Sequence, residues 1–71
     1  PPLFALVAQD DEIAIDSCLR LFGAWREAGK SAELHVFSRG GHGFSMRRQG
    51  LPCDDWIELF YQWLRAEQIT S

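Results

Sequence analysis

The sequence has little positive charge. Seven Lys and Arg residues stand against ten Asp and Glu residues, which gives a formal net charge of −3. Binding to nucleic acid needs a basic surface that displaces counterions from phosphates, so we expect no nucleic-acid partner. Arg47 and Arg48 are the only adjacent basic residues, and we interpret them as part of a solvated loop.

Long apolar runs are also missing. The longest, Leu3–Ala8, is far shorter than a membrane-spanning helix, so we expect no membrane partner. No secretory signal is visible, and the compartment stays open. The chain starts at Pro1 rather than Met and enters an apolar run almost at once, so we expect a piece of a longer polypeptide.

Cysteine is scarce, with only Cys18 and Cys53, and their spacing is not that of a metal site. We expect two free thiols and no metal. The 71 residues are 46% hydrophobic and 13% aromatic, a composition typical of a folded domain. We therefore expect residues 1–71 to form a single unit with a modest core.

The order of predicted elements is β-α-β-α. Leu3–Ala8 is apolar throughout, as in a strand buried on both faces, and Ala32–Phe37 alternates as a strand near a sheet edge does. Apolar residues at helical spacing predict amphipathic helices over about 16–28 and about 53–67. The first helix is long enough for a right-handed crossover, so we expect an α/β fold with two parallel strands.

Residues that could take part in catalysis follow both strands. Asp10 and Asp11 come shortly after the first strand, and the glycine-rich turn Gly40–Phe44 after the second carries His42. The carboxyl ends of parallel strands meet at one edge of a sheet, so we expect a carboxylate and the imidazole to lie close together. A carboxylate bound to Nδ1 would orient the ring for general-base catalysis. In the simpler interpretation, His42 only hydrogen-bonds the glycine turn and the aspartates cap the next helix.

Three segments, Pro2–Asp11, Ala32–Phe37 and Gly40–Phe44, resemble the carboxyl-terminal end of an α/β-hydrolase. The similarity is to acetyl-xylan-esterase-like and dienelactone-hydrolase-like esterases, some of which are described as xylanases. It covers residues 2 to about 67, which would correspond to the last two strands and helices of the family sheet.

This resemblance implies a Ser-Asp-His triad in which Asp11 is the acid and His42 the general base, with no metal or organic cofactor. Family members commonly have valine and proline shortly after the acid. This chain has Ala14-Ile15 there and lacks the proline, so the choice between Asp10 and Asp11 stays open.

The nucleophile that the resemblance implies is missing. The chain has no Gly-x-Ser-x-Gly motif, and none of its serines has that context; they are Ser17, Ser31, Ser38, Ser45 and Ser71. We therefore expect a serine ester hydrolase acting on a small ester substrate in the intact parent protein, and no turnover by this chain alone.

Two other functions fit the same residues. The chain could be a structural or interaction module without chemistry, because two strands are too few for an independent sheet. In that case we expect it to associate with a second copy of itself or to dock to a missing amino-terminal part. A serine peptidase similar to prolyl oligopeptidase is a further alternative, since that family ends with a similar acid and histidine.

Overall fold

A computed structural model describes residues 1–69 of the chain. Its elements are strand β1 (Leu3–Ala8), helix α1 (Ile15–Glu27), strand β2 (Ala32–Phe37) and helix α2 (Trp56–Ala66). Two short 3-10 helices, Phe44–Met46 and Pro52–Asp55, lie between β2 and α2. This is a mixed α/β fold of β-α-β-α order, and the predicted fold class is confirmed.

The two strands pair in parallel over their whole length, from Leu3 opposite Ala32 to Ala8 opposite Phe37. Both predicted strand ranges agree with the structure. Beyond the last pair, the backbone N–H of Gln9 donates to the carbonyl oxygen of Phe37 over 2.6 Å. The carboxyl ends of the strands are therefore tied together where the candidate residues begin.

Helix α1 connects the strands and contacts both of them. It begins and ends one residue earlier than the predicted range of 16–28. Gly29 follows it with φ of +72°, a left-handed conformation that glycine adopts without steric cost and that ends the helix. The turn after α1 then leads directly into β2, where the N–H of Leu3 bonds the carbonyl of Ser31 over 3.0 Å.

The second predicted helix, 53–67, is divided in the structure. Pro52–Asp55 forms a 3-10 helix and only Trp56–Ala66 is α-helical. Pro52 has no N–H to donate and suits the first position of a helical turn. The carboxylate of Asp54 accepts the N–H groups of Gln49 and Gly50, at 2.8–3.1 Å, so this turn is fixed by the preceding loop.

The core has two parts. Aromatic rings join β1 to α2, where the ring centroid of Phe4 lies 5.3 Å from Phe60 and 5.2 Å from Trp63. Nearer the carboxyl end of the sheet, Ala8, Phe44 and Cys53 form a buried cluster. Gly40 lies directly against all three residues of this cluster, so the loop that carries His42 begins on the buried core.

Both cysteines are free thiols, and Cys53 is buried in the core cluster. Within residues 1–69, no helix combines the length and the apolar character that crossing a membrane requires.

Candidate functional site

The structure brings Asp11 and His42 together at the carboxyl edge of the sheet. Their contact joins Oδ2 of Asp11 to Nδ1 of His42 over 3.0 Å. The Asp11 side chain is almost buried, with 7% of its surface exposed, whereas 63% of the His42 side chain is exposed. One partner is thus fixed within the protein and the other reaches the surface.

Asp11 is held by the chain that leads into α1. Its second oxygen, Oδ1, accepts the N–H groups of Ile13 (3.1 Å) and Ala14 (3.2 Å). The Asp11 carbonyl accepts from Ala14 and Ile15, which makes a tight turn before the helix. The side chain of Asp11 therefore stabilises the turn that leads into α1.

The environment of Asp11 favours its ionised form. Burial raises the pKa of Asp11, but hydrogen bonds from the His42 ring and from the backbone of Ala14 and Ile13 lower it more. The net pKa lies below the ordinary value of 3.8. An ionised carboxylate can only accept hydrogen bonds, so Nδ1 of His42 carries the hydrogen in this contact. In the neutral imidazole, Nε2 is then left with a free lone pair.

The loop that carries His42 is built from glycines. Gly41 and Gly43, on either side of the histidine, have φ of +73° and +70°, which residues with a side chain rarely adopt. Phe44 follows and inserts into the core, where only 6% of its surface is exposed. The loop therefore turns sharply around the imidazole and is anchored by a buried aromatic ring.

Asp10 contacts the backbone of this loop rather than the imidazole. Its Oδ1 accepts the N–H of Gly41 over 2.8 Å, and its Oδ2 that of Gly40 over 3.4 Å. The sequence left open which of the two aspartates contacts His42, and in the structure it is Asp11. The contact of Asp10 with the loop backbone was not predicted from the sequence, where the only signal was two adjacent carboxylates after a strand.

Arg47 is the other residue whose part sequence reasoning missed. We interpreted it as solvated, and it is exposed, but its guanidinium donates to the carbonyls of Gly40, His42 and Gly43 at 3.1–3.4 Å. Gln49 adds a bond from Nε2 to the Gly40 carbonyl over 2.9 Å. The loop backbone is thus hydrogen-bonded on both its N–H and its carbonyl side.

A cavity of about 230 Å³ lies beside the Asp11–His42 pair. Its other lining residues are Leu6, Val7, Ala14, Gly43, Phe44 and Ser45. It is mostly apolar, with the imidazole at its edge, as a pocket for a small uncharged ligand would be.

No nucleophile is engaged by His42 in the part of the chain that the structure describes. Ser45 lines the same cavity, yet within residues 1–69 no hydroxyl or thiol is hydrogen-bonded to the imidazole. Ser71 lies outside the described residues. The geometry therefore supplies an oriented imidazole, and within residues 1–69 the only side chain hydrogen-bonded to it is that of Asp11.

The other histidine has a different setting. Nε2 of His35 lies 2.6 Å from a carboxylate oxygen of Glu33, and its ring packs against Phe4 at 5.6 Å between centroids. It is part of β2 and lies away from the Asp11–His42 pair, so we assign it a structural role.

Across residues 1–69, no group of three or more His, Cys, Asp and Glu side chains is arranged to hold a metal ion. Comparison with known proteins identifies no relative of this chain: no protein-family model, no curated protein and no solved structure matches it.

Proposed function

We propose that Asp11 and His42 are the acid and the general base of a serine ester hydrolase. The observation that carries the proposal is the 3.0 Å contact between the buried carboxylate of Asp11 and Nδ1 of the exposed imidazole of His42. This arrangement fixes the tautomer, directs Nε2 away from the carboxylate and stabilises the imidazolium formed when the base takes a proton.

The proposed reaction is acyl transfer. A serine that this chain does not contain attacks the ester carbonyl while Nε2 of His42 accepts its proton. The imidazolium then returns that proton to the departing alcohol, and the acyl-enzyme forms. In the second half, His42 takes a proton from water, the hydroxide attacks the acyl-enzyme, and the serine regains its hydrogen as the acid leaves.

The apolar cavity beside the pair supports a small ester as substrate. Its volume of about 230 Å³ accommodates a short acyl group or a small alcohol. The sequence resemblance to acetyl-xylan-esterase-like enzymes agrees with this size. A peptide substrate, as in the prolyl-oligopeptidase alternative, is the competing possibility.

The test uses the product of the whole open reading frame that contains this chain, whatever its length. We expect a Gly-x-Ser-x-Gly motif after a predicted strand, hydrolysis of 4-nitrophenyl acetate, and labelling of that serine by a fluorophosphonate probe. His42→Ala should lower the esterase rate by about 10²–10⁴-fold, because it removes the general acid–base. His35→Ala, which alters the other histidine, is the matched control and should keep the rate.

Three results would overturn the proposal. They are a reading frame without such a serine, hydrolysis that does not depend on His42, and cleavage of a proline-containing peptide with no cleavage of esters. On the 71-residue chain alone, we expect no hydrolysis above that of its His42→Ala variant.

We propose association of the chain as a second function, and a particular observation favours it. Strand β1 is entirely apolar and pairs with β2 along one edge only, so its other edge has no partner within residues 1–69. An open apolar edge readily adds another strand. Light scattering should show a mean mass above that of the monomer that rises with concentration, and a constant monomer mass would exclude self-association.

A further inference from the structure

We propose that Asp10 and Arg47 act together as a clamp that positions His42. The clamp is defined by these two side chains, one negative and one positive, bonded to opposite sides of the loop Gly40–Gly43. In part this inference rests on the proposed function, since it deepens the account of the same site, but its test requires neither a nucleophile nor an ester.

The negative side of the clamp bonds the N–H groups of the loop. Asp10 accepts from Gly41 over 2.8 Å and from Gly40 over 3.4 Å. Because Asp10 and Asp11 are consecutive, the same turn after β1 holds both the loop backbone and the imidazole. The distance between the carboxylate of Asp11 and the ring therefore depends on the backbone contact made by Asp10.

The positive side bonds the carbonyl groups. Nη1 of Arg47 donates to the carbonyl of His42 over 3.1 Å, and Nη2 donates to that of Gly40 over 3.2 Å. A third, longer contact of 3.4 Å reaches Gly43. A planar guanidinium can serve several carbonyls at fixed angles, which an ammonium group on a flexible stem does less well.

The charges suit the groups that they contact. Carboxylate oxygens face amide hydrogens and guanidinium hydrogens face carbonyl oxygens, and hydrogen bonds with one charged partner are stronger than those between neutral groups. The Gly40 residue is held at both ends, by Asp10 at its N–H and by Arg47 at its carbonyl.

Such restraint matters because the loop is rich in glycine. Glycine has more backbone freedom to lose than any other residue, so an unrestrained loop would move the imidazole away from Asp11. Neither Asp10 nor Arg47 lines the cavity, and both hydrogen-bond the backbone of the loop that carries His42, so we describe both as positioning residues.

The tautomer of the neutral imidazole reports the position of His42 directly. The contact with Asp11 favours hydrogen on Nδ1, and a ring that leaves Asp11 loses that preference. In the ¹⁵N-labelled 71-residue chain, at a pH where the imidazoles are neutral, ¹⁵N shifts of the ring give the ratio of the two tautomers. We expect Asp10→Ala and Arg47→Met each to lower the Nδ1–H to Nε2–H ratio by about two- to tenfold, the effect of one lost hydrogen bond.

Neighbouring residues of the same charge provide matched controls. Glu12 and Arg48 are exposed, and their side chains make no hydrogen bond within the described part of the chain. Glu12→Ala and Arg48→Met should leave the ratio unchanged. If Asp10→Ala and Arg47→Met give the same ratio as these controls, the clamp does not exist.

The backbone amide shifts of β1 and β2 show whether each variant is folded. Should Asp10→Ala or Arg47→Met unfold the chain, Asp10→Asn and Arg47→Lys take their place. These keep the shape of the side chain and should change the ratio in the same direction by less. An unchanged ratio in both folded replacements would equally refute the clamp.

Two glycines of the loop give an independent test. An alanine at Gly41 or Gly43 must adopt nearly the same positive φ, but only at Gly41 does the new Cβ lie close to Arg47, 3.1 Å from Nη2. We expect Gly41→Ala to change the tautomer ratio more than Gly43→Ala, and the difference to vanish when Arg47 is replaced by Met. Equal effects of the two alanines in the unmodified background would contradict the clamp.

If the serine hydrolase proposal fails while these tautomer ratios change as expected, the clamp is still supported. Asp10 and Arg47 would then position His42 for a function other than ester hydrolysis. If the ratios do not change while the ester hydrolysis depends on His42, the clamp alone is refuted.

Discussion

Replacing Gly40 with alanine should destabilise the protein strongly. A Cβ at this position would lie 2.9 Å from Sγ of Cys53, closer than real contacts of this kind, and 3.4 Å from the Cβ atoms of Ala8 and Phe44. Cys53 and Ala8 are fully buried and Phe44 is 6% exposed, so none can move into solvent. Glycine at this position allows the histidine loop to pass directly over the core.

The magnitude follows from two costs. Overpacking of a filled core destabilises by about 1–3 kcal/mol. The φ of Gly40, +156°, is one that side chains rarely adopt, and such backbone strain costs about 1–3 kcal/mol. We expect Gly40→Ala to lower the free energy of unfolding by about 2–6 kcal/mol. That is a large part of the total for so small a domain, which is about 0.05–0.15 kcal/mol per residue.

The assay is urea unfolding followed by tryptophan fluorescence and far-ultraviolet circular dichroism. Gly50→Ala is the matched control, because Gly50 also has a positive φ, +74°, but its Cβ would meet no atom within 4 Å. Gly50→Ala should therefore show the backbone cost alone, about 1–2 kcal/mol.

A double-mutant cycle separates the steric part. Cys53→Ala removes the Sγ atom that the new Cβ would meet, so Gly40→Ala should cost about 1–2 kcal/mol less in that background. Two results would refute the reasoning: a Gly40→Ala variant no less stable than Gly50→Ala, or additive effects of Gly40→Ala and Cys53→Ala.

Other predictions concern the carboxylates and the aromatic core. The folded-state pKa of Asp11 lies below 3.8, so its contribution to stability is present above that pH and is lost as the pH falls through the folded-state value. Asp11→Asn should accordingly reduce the loss of stability between neutral and acidic pH, measured as the urea midpoint, whereas an unchanged acid dependence would speak against this assignment. Hydrogen bonds from the N–H groups of Gln49 and Gly50 lower the pKa of Asp54 in the same way. Asp54→Ala should destabilise the protein at neutral pH more than the exposed control Asp55→Ala does, and equal urea midpoints would contradict this. Phe4→Ala should lower the free energy of unfolding by about 2–4 kcal/mol, since Phe4 contacts both Phe60 and Trp63, and a loss below 1 kcal/mol would exclude the aromatic cluster as a main part of the core.

The sequence was sufficient for the fold because its apolar pattern is unambiguous. The continuous apolar run of β1 and the alternating pattern of β2 indicate the first and last residue of each strand. The single crossover between them determines that they are parallel. The start of α2 was less predictable, since apolar spacing does not distinguish a 3-10 turn such as Pro52–Asp55 from the α-helix that follows it.

The proximity of Asp11 and His42 could be anticipated for the same topological reason. The contacts of Asp10 and Arg47 could not, because their partners are backbone amides and carbonyls 30 or so residues away or across a tight turn. Almost every residue has a backbone N–H and a carbonyl group, so residue type does not indicate which of these groups a side chain will bond. The contact of His35 with Phe4 likewise joins side chains of two different strands, and His35 is half-buried there.

The adjacency of Asp10 and Asp11 has a consequence for how this segment can vary. Successive peptide units send the two carboxylates to different targets, so adding or deleting one residue after Gln9 would exchange their targets or leave one without any. We therefore expect this turn to accept changes of residue type, as at Glu12, far more readily than changes of length.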